Sequence, residues 1–184
     1  TTPGAFAFNL SSANALLRIE PSSWRAGGSA TTLVPDEYAT IQAAVNASSS
    51  GDTIIAYDGV YDEQVVVNKS LTIERYNDTG ANPQVKASSS FSHVFNVTAS
   101  NVTIRGLDIY GATDSGMAGV CLAPYTSGCT ISGNRCGWDA SHNNYYGIYL
   151  SSSSNNTISG NTANSNSNYG ILLYSSSNNN AISG

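Results

Sequence analysis

A three-residue phrase, Ile-x-Gly, recurs along this chain and limits what it can fold into. It stands at Ile104-Arg105-Gly106, Ile131-Ser132-Gly133, Ile158-Ser159-Gly160 and Ile182-Ser183-Gly184, at intervals of 27, 27 and 24 residues. A second phrase travels with it: Gly119-Val120-Cys121-Leu122, Gly147-Ile148-Tyr149-Leu150 and Gly170-Ile171-Leu172-Leu173. A period of this length marks one supersecondary unit that can bury its apolar face only against its neighbours. The chain is therefore a stack, and its function is to be sought on the surface of a rod.

Within each unit the apolar residues alternate. Val120 and Leu122, Ile148 and Leu150, Ile171 and Leu173 are two apart, so each pair faces one side of an extended strand. Ser/Asn tracts separate the strands, from Ser151 to Asn156, Asn161 to Asn168 and Ser175 to Asn180. Such tracts favour turns, because Ser and Asn side chains bond to their own backbone. Short strands and polar corners at this period describe a parallel β-helix, its coils about 4.8 Å apart and equivalent side chains stacked in ladders. Asn134 and Asn161 follow Ile-x-Gly in successive coils and are expected to form an amide ladder. The phasing of the apolar residues argues against a disordered low-complexity tail.

Residues 1–30 do not carry the repeat. Phe6, Phe8 and Leu10 alternate as in a strand, and Gly27-Gly28-Ser29 reads as a joint. This segment is expected either to fold back as a cap over the first coil or to pair with another subunit as a donor strand. Residues 31–184 are assigned to the solenoid, about six coils. Residues 40–48 read as a short amphipathic helix, with Ile41, Ala44 and Val45 on one face, closing the end of the core.

The stretch Val34-Pro35-Asp36-Glu37-Tyr38-Ala39-Thr40-Ile41-Gln42-Ala43-Ala44-Val45, followed by Gly51-Asp52-Thr53-Ile54, Gly59-Val60-Tyr61-Asp62-Glu63 and Asn68-Lys69-Ser70-Leu71-Thr72-Ile73, resembles the opening of pectate-lyase-like right-handed β-helix proteins. The nearest branch is the NosD-like group of secreted and cell-surface proteins in archaea. Asn155-Asn156-Thr157-Ile158-Ser159-Gly160-Asn161 is similar to its repeats. The resemblance covers residues 31–184 and implies an all-β fold, a single-stranded right-handed parallel β-helix with a short N-terminal capping helix. It says little about function, because this fold hosts lyases, hydrolases, epimerases, adhesins and structural proteins.

Charged residues make up 10% of the chain, with 7 Lys+Arg against 12 Asp+Glu. Phosphate binding needs clustered Lys and Arg, so nucleic acid is not an expected partner. No apolar run is long enough to span a membrane. No signal peptide is visible, and Thr1-Thr2-Pro3-Gly4 fits a processed terminus. Sequons at Asn9, Asn46, Asn68, Asn77, Asn96, Asn101 and Asn155 suit a secreted glycoprotein. Of Cys121, Cys129 and Cys136, register points Cys129 and Cys136 inward, so a Cys129–Cys136 bridge with Cys121 free is expected, beside the alternative of three unpaired thiols.

The chemistry-bearing residues are sparse. Polysaccharide lyases of this fold use acids holding Ca²⁺ with Arg or Lys acting on the sugar, which makes Asp52, Asp58, Asp62, Glu63, Asp108, Asp114, Arg75 and Arg105 the candidates. At the 27-residue spacing Asp108 meets Arg135, so no second acid stacks on it. After Asp139 the chain has no Asp, Glu, Lys or Arg. These acids read as surface residues, and no catalytic residue, cofactor or metal is expected. The copper that the branch name evokes would need clustered His, Met or Cys, whereas His93, His142 and Met117 stand far apart.

An outward column, Cys121, Tyr149 and Leu172, is flanked by Tyr145, Tyr146, Tyr169 and Tyr174. Such an aromatic strip marks a contact surface. The chain stops at Ile182-Ser183-Gly184 in mid-repeat without a polar cap, which leaves the last coil to be covered by further chain or by a neighbour. The sequence thus points to a non-catalytic extracellular protein of the cell surface that self-assembles head-to-tail into a filament, sheath or surface layer. Phe6, Phe8, Leu10, Tyr149, Leu172 and Tyr174 would carry its homopolymer contacts. The alternatives are a polysaccharide-lyase-like enzyme and a glycan-binding adhesin.

Overall fold

A computed structural model describes residues 28–76 and 80–184. Four successive coils each lay one short strand on each of three parallel sheets, and the coils at either end complete only part of that pattern. The first sheet orders β1 (Thr31–Val34), β2 (Thr53–Ala56), β5 (Thr72–Arg75), β8 (Thr103–Arg105), β11 (Thr130–Ser132), β14 (Thr157–Ser159) and β16 (Ala181–Ser183). The second contains β3 (Val60–Asp62), β6 (Gln84–Lys86), β9 (Asp108–Tyr110) and β12 (Arg135–Cys136). The third contains β4 (Val65–Val67), β7 (Phe95–Val97), β10 (Ala118–Leu122), β13 (Tyr146–Ser151) and β15 (Tyr169–Tyr174). This is the all-β parallel solenoid that the repeat implies.

The repeat phrases become ladders. Ile54, Ile73, Ile104, Ile131, Ile158 and Ile182 pair in register down the first sheet. The first four are fully buried, Ile158 is 1% exposed and Ile182, on the last strand, is 49% exposed. Each fully buried isoleucine contributes about 1.5–3 kcal/mol relative to exposure, so this column is a principal source of cohesion. Thr53, Thr72, Thr103, Thr130 and Thr157 form the neighbouring outward column.

Glycines set the corners. Gly106, Gly133 and Gly160 hold φ of 72°, 62° and 60° at the turn from the first sheet to the second, a left-handed conformation costly for residues with a Cβ. Asn134 follows this turn, 1% exposed. Its Oδ1 accepts from Leu107 N (3.0 Å), and its Nδ2 donates to Ile104 O (2.9 Å) and to Asn161 Oδ1 (3.1 Å). The expected Asn134–Asn161 ladder is present.

Helix α1 (Ile41–Ala47) covers the first coil with Ile41, Ala44 and Val45 buried. Thr40 Oγ1 caps it by accepting from Ala43 N (3.1 Å). Glu63 accepts from Ile41 N and Gln42 N, both at 2.8 Å, and Lys69 Nζ donates to Val45 O, Asn46 O and Ser48 O at 2.9, 2.9 and 2.7 Å. Opposite charges from the coil that carries β2, β3 and β4 thus hold opposite ends of the helix, each complementing the backbone groups left unpaired there.

The Cys129–Cys136 bridge is not formed, and all three cysteines are free and buried. Cys129 sits in the corner before β11, its Sγ 3.6 Å from Ala99 O and 3.7 Å from Ser127 O. Cys136 lies in β12, on the second sheet. Both are buried, but the Gly133-Asn134 turn places them on different walls of the coil. Burial pushes the Cys121 and Cys136 thiols up to about 12.

Candidate functional site

The third sheet carries the outward aromatic residues. Its strands share a local break at Gly119, Gly147 and Gly170. A Cβ on Gly119 would lie 2.9 Å from Gly147 O, and one on Gly147 would collide with Gly170 O. These glycines allow close backbone approach, and the break sets Tyr146 and Tyr169 on the outer face ahead of Val120, Ile148 and Ile171, while Ala118 at the equivalent position of the preceding strand is fully buried. Cys121, Tyr149 and Leu172 form the next outward column, in the register expected.

The result is a tyrosine cluster over β13 and β15. Tyr146 stacks on Tyr169 at 5.9 Å and 21° and touches Tyr145 and Tyr149 at 4.7 and 5.5 Å. Tyr149 meets Tyr174 at 6.3 Å. Tyr169 and Tyr174 are 52% and 59% exposed, while Tyr149 and Leu172 are half-buried. Cys121 departs from the exposed strip: it is buried between Asn96 and Tyr149 on the sheet face. Phe6, Phe8 and Leu10 lie outside the described residues.

Most of the candidate acids have structural partners. Asp52, 2% exposed, accepts from Ala30 N (2.9 Å) and Ser49 N (2.7 Å). Glu63 holds α1. Asp62 pairs with Lys86 at 3.4 Å, and Asp114 accepts from Ser90 Oγ at 2.5 Å. Asp108, 1% exposed, forms the expected pair with Arg135 and also accepts from Asn82 Nδ2 at 2.8 Å. Asp58 is exposed beside Tyr57, Arg75 and Tyr76. Arg105 pairs with Glu74, and Arg75 donates to Asn82 Oδ1 at 2.6 Å. These last four line a groove of roughly 400 Å³ whose floor is Gly106 and Gly133.

A second aromatic cluster was not read from the sequence. Trp138 stacks on His142 (4.6 Å, 13°), Tyr110 meets both edge-on, and Arg135 lies over Trp138 at 4.5 Å. His142 Nδ1 lies 2.9 Å from Asp139 Oδ1, and this hydrogen bond holds the Asp139 carboxyl below its usual range. Only the adjacency of Arg135, Trp138 and Asp139 hinted at it; Tyr110 comes from the preceding coil. Among the described residues no group of three or more His, Cys, Asp or Glu is placed to hold a metal ion, and no helix is long and apolar enough to cross a membrane.

The family model for the right-handed β-helix region matches residues 38–184. The chain belongs to the right-handed β-helix family. It is also similar to a cell surface glycoprotein of Methanothermus fervidus, 33% identical over 118 residues, which is 60% of this chain. The chain spans 18% of that relative's length. No solved structure matches it.

Proposed function

We propose that this β-helix is a non-catalytic structural protein of the cell surface, a rod whose tyrosine face packs against further copies in a filament, sheath or surface layer. The observation that carries the reading is the contiguous cluster of Tyr145, Tyr146, Tyr149, Tyr169 and Tyr174 on one wall. Tyrosine gives large contact area at low entropic cost, and an exposed aromatic patch of this kind marks a contact surface. The cell-surface setting is supported by the relative's name, and the narrower likeness to NosD-like archaeal surface proteins is part of the same proposal. The structural partners of Asp52, Glu63, Asp108 and Asp114 favour it over a lyase. Phe6, Phe8 and Leu10 enter as a second contact on their alternation alone.

Sedimentation velocity tests this. The native protein is expected to associate as concentration rises, and Tyr169→Ser with Tyr174→Ser to abolish association while circular dichroism stays unchanged. Association that survives both changes refutes the tyrosine face as the contact. A monomer that binds glycans through Tyr149 and Tyr174 without turnover would replace this reading with that of a glycan-binding adhesin.

A further inference from the structure

Two groups of asparagines in this rod do different work. One group of six buried or half-buried asparagines helps hold the stack through Nδ2. Asn134, Asn144, Asn161, Asn166 and Asn180 donate to the carbonyls of Ile104, Ile109, Ile131, Cys136 and Ser153, and Asn156 donates to Ser153 Oγ and Asn180 Oδ1, all at 2.8–3.1 Å. None of these six has Ser or Thr two residues on. The described sequon asparagines are Asn46, Asn68, Asn96, Asn101 and Asn155. Among the described residues, none of the five uses its side chain to bond a backbone group of a neighbouring coil; Asn46 Oδ1 accepts from Gln42 Nε2 on its own helix (3.0 Å). An N-linked sugar occupies Nδ2 and must project outward. A ladder asparagine cannot meet that condition; an exposed sequon asparagine with an unbonded Nδ2 can, as at Asn101, whose Oδ1 lies over Gly128 of the next coil while its Nδ2 has no partner among the described residues.

The sequons also share a place. Asn68, Asn101 and Asn155 lie in the corner that leads from the third sheet to the first, following β4, β7 and β13, and all three are exposed. The coils register there: Ser70 Oγ donates to Asn101 O (2.8 Å), Asn101 N to Ser127 O (2.9 Å), and Gly128 N to Asn155 O (3.0 Å). Asn101 and Asn155 are thus two coils apart on one edge, about 10 Å at the strand spacing. Exposed Asn46 is tied to the same edge by Lys69, whose Nζ donates to Asn46 O. Asn101 and Asn155 hold φ of 58° and 59°, which asparagine and glycine tolerate best, so the turn alone accounts for asparagine there. It does not account for Asn68, nor for the side chains of all three being left unbonded. Asn96 differs: it is half-buried in mid-strand, between Val66 and the buried Cys121.

We propose that the corner from the third sheet to the first is the glycan-bearing edge of the rod, N-glycosylated at Asn68, Asn101 and Asn155 and not at Asn96. One edge then carries a ridge of sugar that faces solvent and keeps that side of the rod away from neighbouring copies. Next to it Tyr125, 91% exposed, and Ser127, Ser152 and Ser154 line an open groove of roughly 530 Å³ in which the first sugars would lie.

The proposal rests on the extracellular part of the proposed function and not on self-assembly. The test is intact-glycopeptide mass spectrometry of the protein purified from its own cells, with protease shaving of those cells in parallel. The expected result is a glycan on the peptides of Asn68, Asn101 and Asn155, a bare Asn96 peptide, and loss of the corresponding mass in Asn101→Gln and Asn155→Gln, which still fold. Bare Asn101 and Asn155 in protein that shaving releases from the cell surface, or a modified Asn96, overturns the glycan edge and leaves the surface location standing. Protein that shaving leaves intact inside the cells overturns both.

Discussion

Gly147 has no side chain because the next coil passes where one would be. The carbonyl of Gly170 fills the position of its Cβ, with Asn166 Nδ2 at 2.7 Å and the Ala163 methyl at 3.0 Å. Inserting a methyl group into so tight a backbone approach costs about 1–3 kcal/mol. Gly147→Ala is therefore expected to lower the unfolding free energy measured by urea titration by that amount. Gly80→Ala, where a methyl meets nothing within 4 Å, should change stability by less than about 0.5 kcal/mol. Equal stability of the two variants would remove the packing explanation of the glycine phrase. That phrase was visible in the sequence as a repeat, and so was the Asn134–Asn161 ladder, because both recur at the coil period. The fate of the cysteines was not. Register shows that Cys129 and Cys136 face inward, but which wall each faces depends on the turn between them. Glu63 was equally opaque: a carboxylate aimed at two amides 21 and 22 residues earlier leaves no local pattern.

At the scale of elements, the strands are interchangeable in principle and differ in what their corners contain. The corner between β6 and β7 holds His93, half-buried, with Ala118 N donating to its Nδ1 at 2.9 Å from the start of β10. Burial lowers its pKa from the ordinary 6.5. The folded chain thus keeps this imidazole neutral while the unfolded chain takes up a proton first. Stability from this contact is complete above pH 6.5 and is lost as pH falls through the lowered value. Unfolding free energy measured between pH 7.5 and 5.5 should decline toward acid, and His93→Gln should flatten that slope. An unchanged slope in the variant would show that the Ala118 hydrogen bond does not set the pH dependence. Strand positions were legible because apolar alternation is local, whereas this corner was not, since His93 and Ala118 come together only when successive coils stack.

The whole molecule is a rod with unlike sides: a threonine-lined sheet, a corner of exposed sequons, a salt-bridged groove and a tyrosine wall. The tyrosine column was foreseen from the repeat, since equivalent positions in successive coils must stack. Its degree of exposure was not, because burial of Cys121 and of half of Tyr149 depends on how the side chains of three strands fill one face. In the assembly proposed above, the tyrosine wall would put the contact with other copies along the flank of the rod, and the donor strand expected from the sequence would add one at its end. The most direct test is electron microscopy of the natively purified surface material, joined with diffraction from aligned specimens. The account predicts regular fibres or sheets with a reflection near 4.8 Å along the rod axis. Monodisperse single rods at every concentration examined would contradict it.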